Sequence, residues 1–459
     1  MAIKNKEDLL FKSIDEISQL YRSKVVSPVE VLEATLELQR ELEPRLNAFI
    51  TVMSEAALNK AREAEKAFVK GEAAGKLVGV PVSIKDIFMT KGIRTTIGSR
   101  ILQDFVPEGD SHIYEALQKA GAIVFGKTNM LEFAYGSVHP DYGQCNNPWD
   151  VTRTAGGSSS GSASSVAAGI GFASIGTDTG GSIRLPSSFC GIVGLKPTTG
   201  QVSSSGLFPL SHSFDHIGPM TRTVRDNAIV LESISSKPGN FESIFTGSIK
   251  GTKIGVIRSL IDSLTHHEVE EIINSAINRL SDLGAEIIEI EIPEISNVKE
   301  FAFPILLSEA SYYHQKWYPD RSADYANGTL MNIKEGFNIS AVSYLDAIQK
   351  KREFTEKVNS AFEGMDFLVC PTSPSPATKR DPSFEDTEYD FTERTLPFNV
   401  SGHPAITVSA GQTPSGNLPV GLQFLGRHND EASIYNAADV FQSASGGYKH
   451  PSFTQLNHK

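Results

Sequence analysis

The sequence predicts an α/β fold, a sheet with helices packed on both of its faces. Two observations carry this. Short apolar, β-branched runs recur along the chain, at 77–84, 122–125, 253–257, 285–292, 367–371, 404–410 and 419–425. Each has the length and composition of a buried strand. Between many of them lie segments with apolar residues at helical spacing, and strands alternating with helices bring helices to both faces of a sheet. The stretch 253–292 shows the pattern in full. A strand at 253–257 is followed by Val269, Ile272, Ile273, Ala276, Ile277 and Leu280 at helical spacing, then by a second strand.

The elements follow in order. Residues 1–75 read as helical. Ser27-Pro28-Val29-Glu30 is a capping box with proline at the first helical position. A second helix over about 54–70 stops at Gly71. The run 77–84, LVGVPVSI, predicts a strand, 112–120 a helix, and 122–125 another strand. From 155 to 182 the chain is mostly Gly, Ser, Ala and Thr, yet Val166, Ala167, Ala168, Ile170, Phe172, Ala173 and Ile175 run through it. This predicts a small-residue helix packed close to a strand, not a flexible linker. Residues 300–365 read as helices rich in aromatics, and 367–371 as a strand. The polar, proline-containing 372–395 reads as a surface loop, and 430–443 as a closing helix. There is no internal repeat.

Composition bounds the function. The 459 residues are 40% hydrophobic, enough for a sizeable core. A net charge of -12 with no basic run argues against nucleic acid or an anionic membrane as main partner. Three cysteines, far apart and without a CxxC pair, suit a reducing compartment and argue against a disulfide framework or zinc site. No apolar run approaches the length of a membrane span, and the first residues lack the apolar stretch of a signal peptide. A cytoplasmic protein is expected, with chance sequons at Asn327, Asn338 and Asn399.

The loudest short motif is misleading. Gly121 to Thr128, GAIVFGKT, matches the phosphate-loop pattern. A helix precedes Gly121, however, and the four variable residues are themselves a strand, so the order of elements is wrong for that loop. The more informative stretch is TDTGGSIR, 177–184. Ser182 follows two glycines, and the amides of Thr179 to Ser182 could converge on a developing oxyanion. An ordinary tight turn between strand and helix fits the same residues. No histidine lies between His139 and His212. Lys85, ending a buried strand, supplies the alternative: burial disfavours its charged form, and a neutral lysine accepts a proton. A serine in GGSSSG, 156–161, could relay it, as in Ser-Lys variants of the serine triad.

Residues 156–198, GGSSSGSASSVAAGIGFASIGTDTGGSIRLPSSFCGIVGLKPT, closely resemble the amidase signature family. The resemblance extends to GVPVSIKDIF at 79–88, GKTNMLEFAYG at 126–136, NNPWD at 146–150, PFNVSGHPAITVSAG at 397–411 and LPVGLQFLG at 418–426. It spans nearly the whole chain and is weakest across about 240–395. It implies a single large α/β/α domain over 1–459 around a mixed, twisted sheet. Within it are an N-terminal helical segment (1–75), a catalytic core (76–240) and a helical cover over the site (about 300–395). No metal or organic cofactor is implied.

The implied reaction is hydrolysis of a carboxamide-type C–N bond through an acyl-enzyme. Lys85 stands at the family's catalytic lysine, Ser158 at the relay serine, joined to Gly157 by a cis bond, and Ser182 at the nucleophile. The amides of Thr179, Gly180, Gly181 and Ser182 would form the oxyanion hole. Gly157, Ser159, Ser160, Asp86 and Asp178 are candidate supporting residues, and Arg184 is expected to hold a buried carboxylate. Tyr135 and Phe208 are candidates for the acyl pocket. His403 and Cys190 read as core residues. The aromatics Phe301, Phe303, Tyr312, Tyr313, Trp317 and Tyr318 suit either a pocket or lid, or core and interface.

Expected substrates are small aliphatic or aryl amides or carbamates, and a homodimer is compatible. One alternative is the glutaminase subunit of a tRNA-dependent amidotransferase. It would be expected to carry a Tyr-Asp-Gly-Val-Arg type segment near 310, where this chain reads SEASYYHQKWYPD. A urea-derivative or cyclic-amide hydrolase is another alternative. A non-catalytic binding protein on the same fold is disfavoured by the presence of Lys85, Ser158 and Ser182.

Overall fold

A computed structural model describes residues 6–237, 239, 241, 243–381 and 389–452. Its strands are β1 (Phe49–Val52), β2 (Pro81–Lys85), β3 (Ile123–Thr128), β4 (Asn146–Asn147), β5 (Asp150–Thr154), β6 (Ala173–Asp178), β7 (Val193–Lys196), β8 (His216–Thr221), β9 (Lys253–Ile257), β10 (Glu286–Ile290), β11 (Phe367–Pro371), β12 (Ala405–Gln412) and β13 (Pro419–Leu425). Eleven of these form one sheet, in the order β1-β3-β2-β6-β8-β7-β12-β13-β11-β9-β10, and β4 and β5 pair separately. The sheet is mixed. β2 runs parallel to β3 and β6, and β9 to β10 and β11, while β8, β7, β12 and β13 join antiparallel.

Most central strands are buried along their whole length, as their unbroken apolar runs require. The register Val82↔Ala173 and Ile84↔Ile175 sets the end of β2 beside the end of β6. Lys85 and Asp178 are thus the last residues of neighbouring parallel strands, and ligands of α/β sheets bind beyond such carboxyl ends.

Several expectations hold closely. The capping box at Ser27 makes both of its bonds, and the helix Ser54–Lys70 ends on a left-handed Gly71. The helices Lys299–His314, Asn327–Asn338 and Ala341–Ala361 occupy the aromatic-rich stretch. Gly126 to Thr128 lie inside β3, and Lys127 is fully buried against Asp86 at 3.2 Å, so this lysine has no phosphate to hold. No helix among the described residues is long and apolar enough to cross a membrane.

Other expectations are corrected. The helical reading of 1–75 is interrupted by β1, which pairs antiparallel with β3. β7 and β8 escape sequence reading because VGLK and HIGPMT carry glycine, proline or lysine, and sheet pairing overrides such local preferences. The segment 372–395 is not a surface loop where it is described: Thr372, Ser373, Ser375, Ala377, Phe391, Arg394 and Thr395 are buried. Residues 382–388 of that segment lie outside the described residues.

Candidate active site

β2 delivers Lys85 into a site with no exposure to solvent. Its Nζ donates to Ser158 Oγ at 2.7 Å and to Thr177 Oγ1 at 2.8 Å. Burial drives its pKa from 10.5 down to about 7, against the upward pull of Asp215 and Asp178. Both acceptors are neutral hydroxyls, so nothing in direct contact restores the charged form.

Ser158 stands just before the small-residue helix Ser160–Ala167, all of whose residues are buried. The Gly157–Ser158 bond is cis. Gly157 has no room for a side chain, since a Cβ there would sit 2.7 Å from Leu131 Cδ1. Ser159 ties the two serine segments together: its amide donates to the Ser182 carbonyl at 3.2 Å and its hydroxyl to the Thr177 carbonyl at 3.0 Å.

The turn after β6 is built around Asp178. Its carboxylate accepts from the amides of Gly181 (2.8 Å), Ile183 (3.1 Å) and Arg184 (3.3 Å). It also accepts from Arg184 Nε at 3.0 Å, Arg184 Nη2 at 2.9 Å and Asn399 Nδ2 at 2.8 Å. Burial alone would raise its pKa, but the Arg184 guanidinium and these donors hold it well below the usual carboxylate range. Asp178 is thus a fixed charge that shapes the turn. Arg184 takes the expected structural place and further reaches Gln423 Oε1 at 3.1 Å and Asn399 Oδ1 at 2.6 Å.

One expected oxyanion donor is corrected. The Gly181 amide is engaged by Asp178, which leaves the amides of Thr179, Gly180 and Ser182 without an acceptor among the described residues. Gly181 is needed for shape: its φ is +130°, and a Cβ would lie 2.8 Å from Thr395 Cβ. Thr395 in turn donates to the Gly180 carbonyl at 2.6 Å.

Ser182 is half-buried and, with Ser158, Thr179, Gly180 and Gly181, lines a cavity. No hydrogen bond joins the Ser158 and Ser182 hydroxyls, a common state of catalytic contacts before substrate tightens them. The remaining walls are largely apolar, from Leu131, Ala134, Leu185, Leu210, Phe303, Leu306, Tyr389, Phe391 and Leu396. Their charged members, Lys299 and Asp390, pair with each other at 2.6 Å.

Tyr135 and Phe208 are not on this wall. Tyr135 is fully buried in the core, and Phe208 joins an aromatic cluster with Phe133 (5.2 Å) and Trp317 (5.9 Å). Of the other aromatics, Phe303 faces the cavity, Phe301 packs on Phe354 at 5.8 Å, and Tyr312 is exposed. Asp86 serves the neighbouring 96–97 loop rather than the serines, accepting from the amides of Thr96 (2.8 Å) and Ile97 (3.1 Å). His403 is a core residue stacked on His428 at 3.8 Å, and Cys190 is buried.

Sequence reasoning missed Thr177, Asn399, Gln423 and Asp215. Asn399 and Gln423 lie within the motif-bearing segments 397–411 and 418–426, where a buried polar residue among apolar neighbours is the available signal.

Comparison with known proteins decides the family. The profile described as Amidase matches residues 30–434. The chain belongs to the amidase signature family. It is an amidohydrolase by family, acting on amide C–N bonds. A curated relative is the A subunit of the Glutamyl-tRNA(Gln) amidotransferase of Acaryochloris marina, 36% identical over 95% of this chain and 98% of that protein. A solved structure described as an amidase superposes with a TM-score of 0.87 at 30% identity, covering 94% of this chain and 99% of its own. The A subunit of the Glutamyl-tRNA(Gln) amidotransferase of Thermotoga maritima superposes with a TM-score of 0.81 at 31% identity, covering 98% and 99%.

Proposed function

We propose that the protein hydrolyses small amides with an apolar acyl part through an acyl-enzyme on Ser182. The observation that carries this is the fully buried Lys85 Nζ, 2.7 Å from Ser158 Oγ, with Ser158 lining the same cavity as Ser182. Neutral Lys85 takes the proton of Ser158 as Ser158 takes that of Ser182. Ser182 Oγ attacks the carbonyl carbon, and the oxyanion is held by the amides of Thr179, Gly180 and Ser182. Ser158 then protonates the leaving amine as the tetrahedral intermediate collapses. Water, deprotonated along the same path, releases the acid and restores Ser182. The helices across 299–361 act as a cover, with Phe303 and Leu306 closing the acyl side.

The wall of aliphatic and aromatic side chains favours aliphatic or aryl acyl groups, and carbamates of similar shape. Release of amine or ammonia from aliphatic amides, anilides, carbamates and glutamine tests this, with wild type and Ser182→Ala in parallel. Apolar amides turned over by wild type alone support the reading. Equal turnover by both proteins refutes the nucleophile.

A second reading, the glutaminase subunit of a tRNA-dependent amidotransferase, has its own observation, the whole-length likeness to A subunits of Glutamyl-tRNA(Gln) amidotransferases. On that reading glutamine is the substrate, and the chain works with further subunits and a tRNA, against the expectation drawn from its acidic charge. Turnover of glutamine alone selects it.

A further inference from the structure

One carboxylate beside the oxyanion turn has no part in this mechanism. Asp215, just before β8, accepts from Thr179 Oγ1 at 2.6 Å. Its other oxygen accepts from the amides of Leu210 (2.9 Å) and Ser211 (3.1 Å). That loop is gripped from the cover. Glu309, on the helix Lys299–His314 and 4% exposed, accepts from Ser211 Oγ at 2.6 Å, the Ser213 amide at 3.0 Å and Ser213 Oγ at 2.5 Å. Tyr344, on the helix Ala341–Ala361, donates to Glu309 at 3.0 Å. A continuous hydrogen-bonded path therefore runs from two cover helices to Thr179, whose amide is one of the three open oxyanion donors.

We propose that Asp215 is a positioning residue for acyl transfer: fixed by Glu309, it holds Thr179 in the oxyanion turn and balances the charge that Lys85 gains with the serine proton. The proposal rests on the reading of Lys85 as terminal base. The charged and titratable groups around Asp215 are Lys85 from β2, Asp178 from β6, His212 from its own loop and buried His216, the next residue, at the start of β8. From the cover they are Glu309 and Tyr313, and Tyr344 and Lys351 of the next helix. Burial pushes the Asp215 pKa up to about 6, with Glu309 adding to the rise and the Thr179, Leu210 and Ser211 donors opposing it. Above that pH its negative charge favours protonated Lys85. Removing the charge lowers the lysine pKa, so the acid limb of kcat/KM moves to lower pH. At the same time kcat falls, because the lysinium formed during the reaction loses its counter-charge. A purely structural residue would not move the limb.

The test measures kcat, KM and pH profiles with the best amide of the substrate panel, for wild type, Asp215→Asn, Glu309→Gln and Glu309→Asp. Asp215→Asn is expected to lower kcat about 10- to 100-fold, the worth of a charge-assisted contact, with little change in KM and the acid limb displaced downward. Glu309→Gln is expected to lower kcat several-fold, with Glu309→Asp partly restoring it. A folded Asp215→Asn protein with a wild-type acid limb, or a loss expressed in KM alone, overturns the proposal. Should Asp215→Asn not fold, a folded Glu309→Gln protein with wild-type kcat overturns it equally. Failure of the underlying mechanism shows separately, as turnover surviving in Ser182→Ala.

Discussion

At the scale of single residues, the site is a problem of where charge is allowed. Lys85 is kept near neutrality by burial, while Asp178 is kept charged by Arg184 and three amides. The lysine therefore titrates in the working range and the aspartate does not. As the proposed terminal base Lys85 must be unprotonated to act, and its pKa is lowered to about 7, so kcat/KM should rise with pH through about 7 and level off above it. A pH–rate profile checks this; a limb near 10 would mean an ordinary, solvated lysine. Lys85→Met removes the base while keeping much of the volume, and should cost about 10²- to 10⁴-fold in kcat with the fold intact. Arg184→Met leaves a buried carboxylate unpaired and should destabilise the protein by about 3–5 kcal/mol, read by denaturant unfolding. For Asp178 itself the folded pKa lies below its ordinary 3.8, so its stabilisation is present above that pH and is lost as pH falls below it.

At the scale of elements, legibility followed locality. The helices Pro28–Leu46 and Ser54–Lys70 were readable because capping box and terminal glycine act within a few residues. Ser27→Ala removes one side of that box and should cost about 0.5–2 kcal/mol of stability without changing kcat. β2 and β3 were readable as apolar runs. β7 and β8 were not, because their residues become strand only by pairing with each other and with neighbours far along the chain. The triad candidates were legible because a long motif carried them. Most of the cavity wall was not: Phe303 stood among the aromatics open to a pocket or a core role, but Leu306, Tyr389 and Phe391 come from segments with little resemblance to any motif. Phe303→Ala should enlarge the acyl side and shift preference toward bulkier acyl groups, read as the ratio of kcat/KM for aryl and small aliphatic amides.

At the scale of the whole molecule, one mixed sheet brings together residues distant in sequence. Lys85 from β2, Ser158 before a helix and Ser182 after β6 converge because β2 and β6 are parallel neighbours, and Arg184 ties in Asn399, just before β12, and Gln423 of β13. The family, the mixed sheet and the amide chemistry follow from the long 156–198 motif. On the proposed reading the substrate is selected by the helices across 299–361, where the sequence departs most from the motif-bearing segments. The most direct test of the central claim is mass spectrometry of protein quenched during turnover of a good anilide or ester analogue. We predict an acyl mass increment on the peptide containing Ser182, absent in Ser182→Ala along with turnover. Full turnover by Ser182→Ala, or an adduct on another residue, would contradict the account.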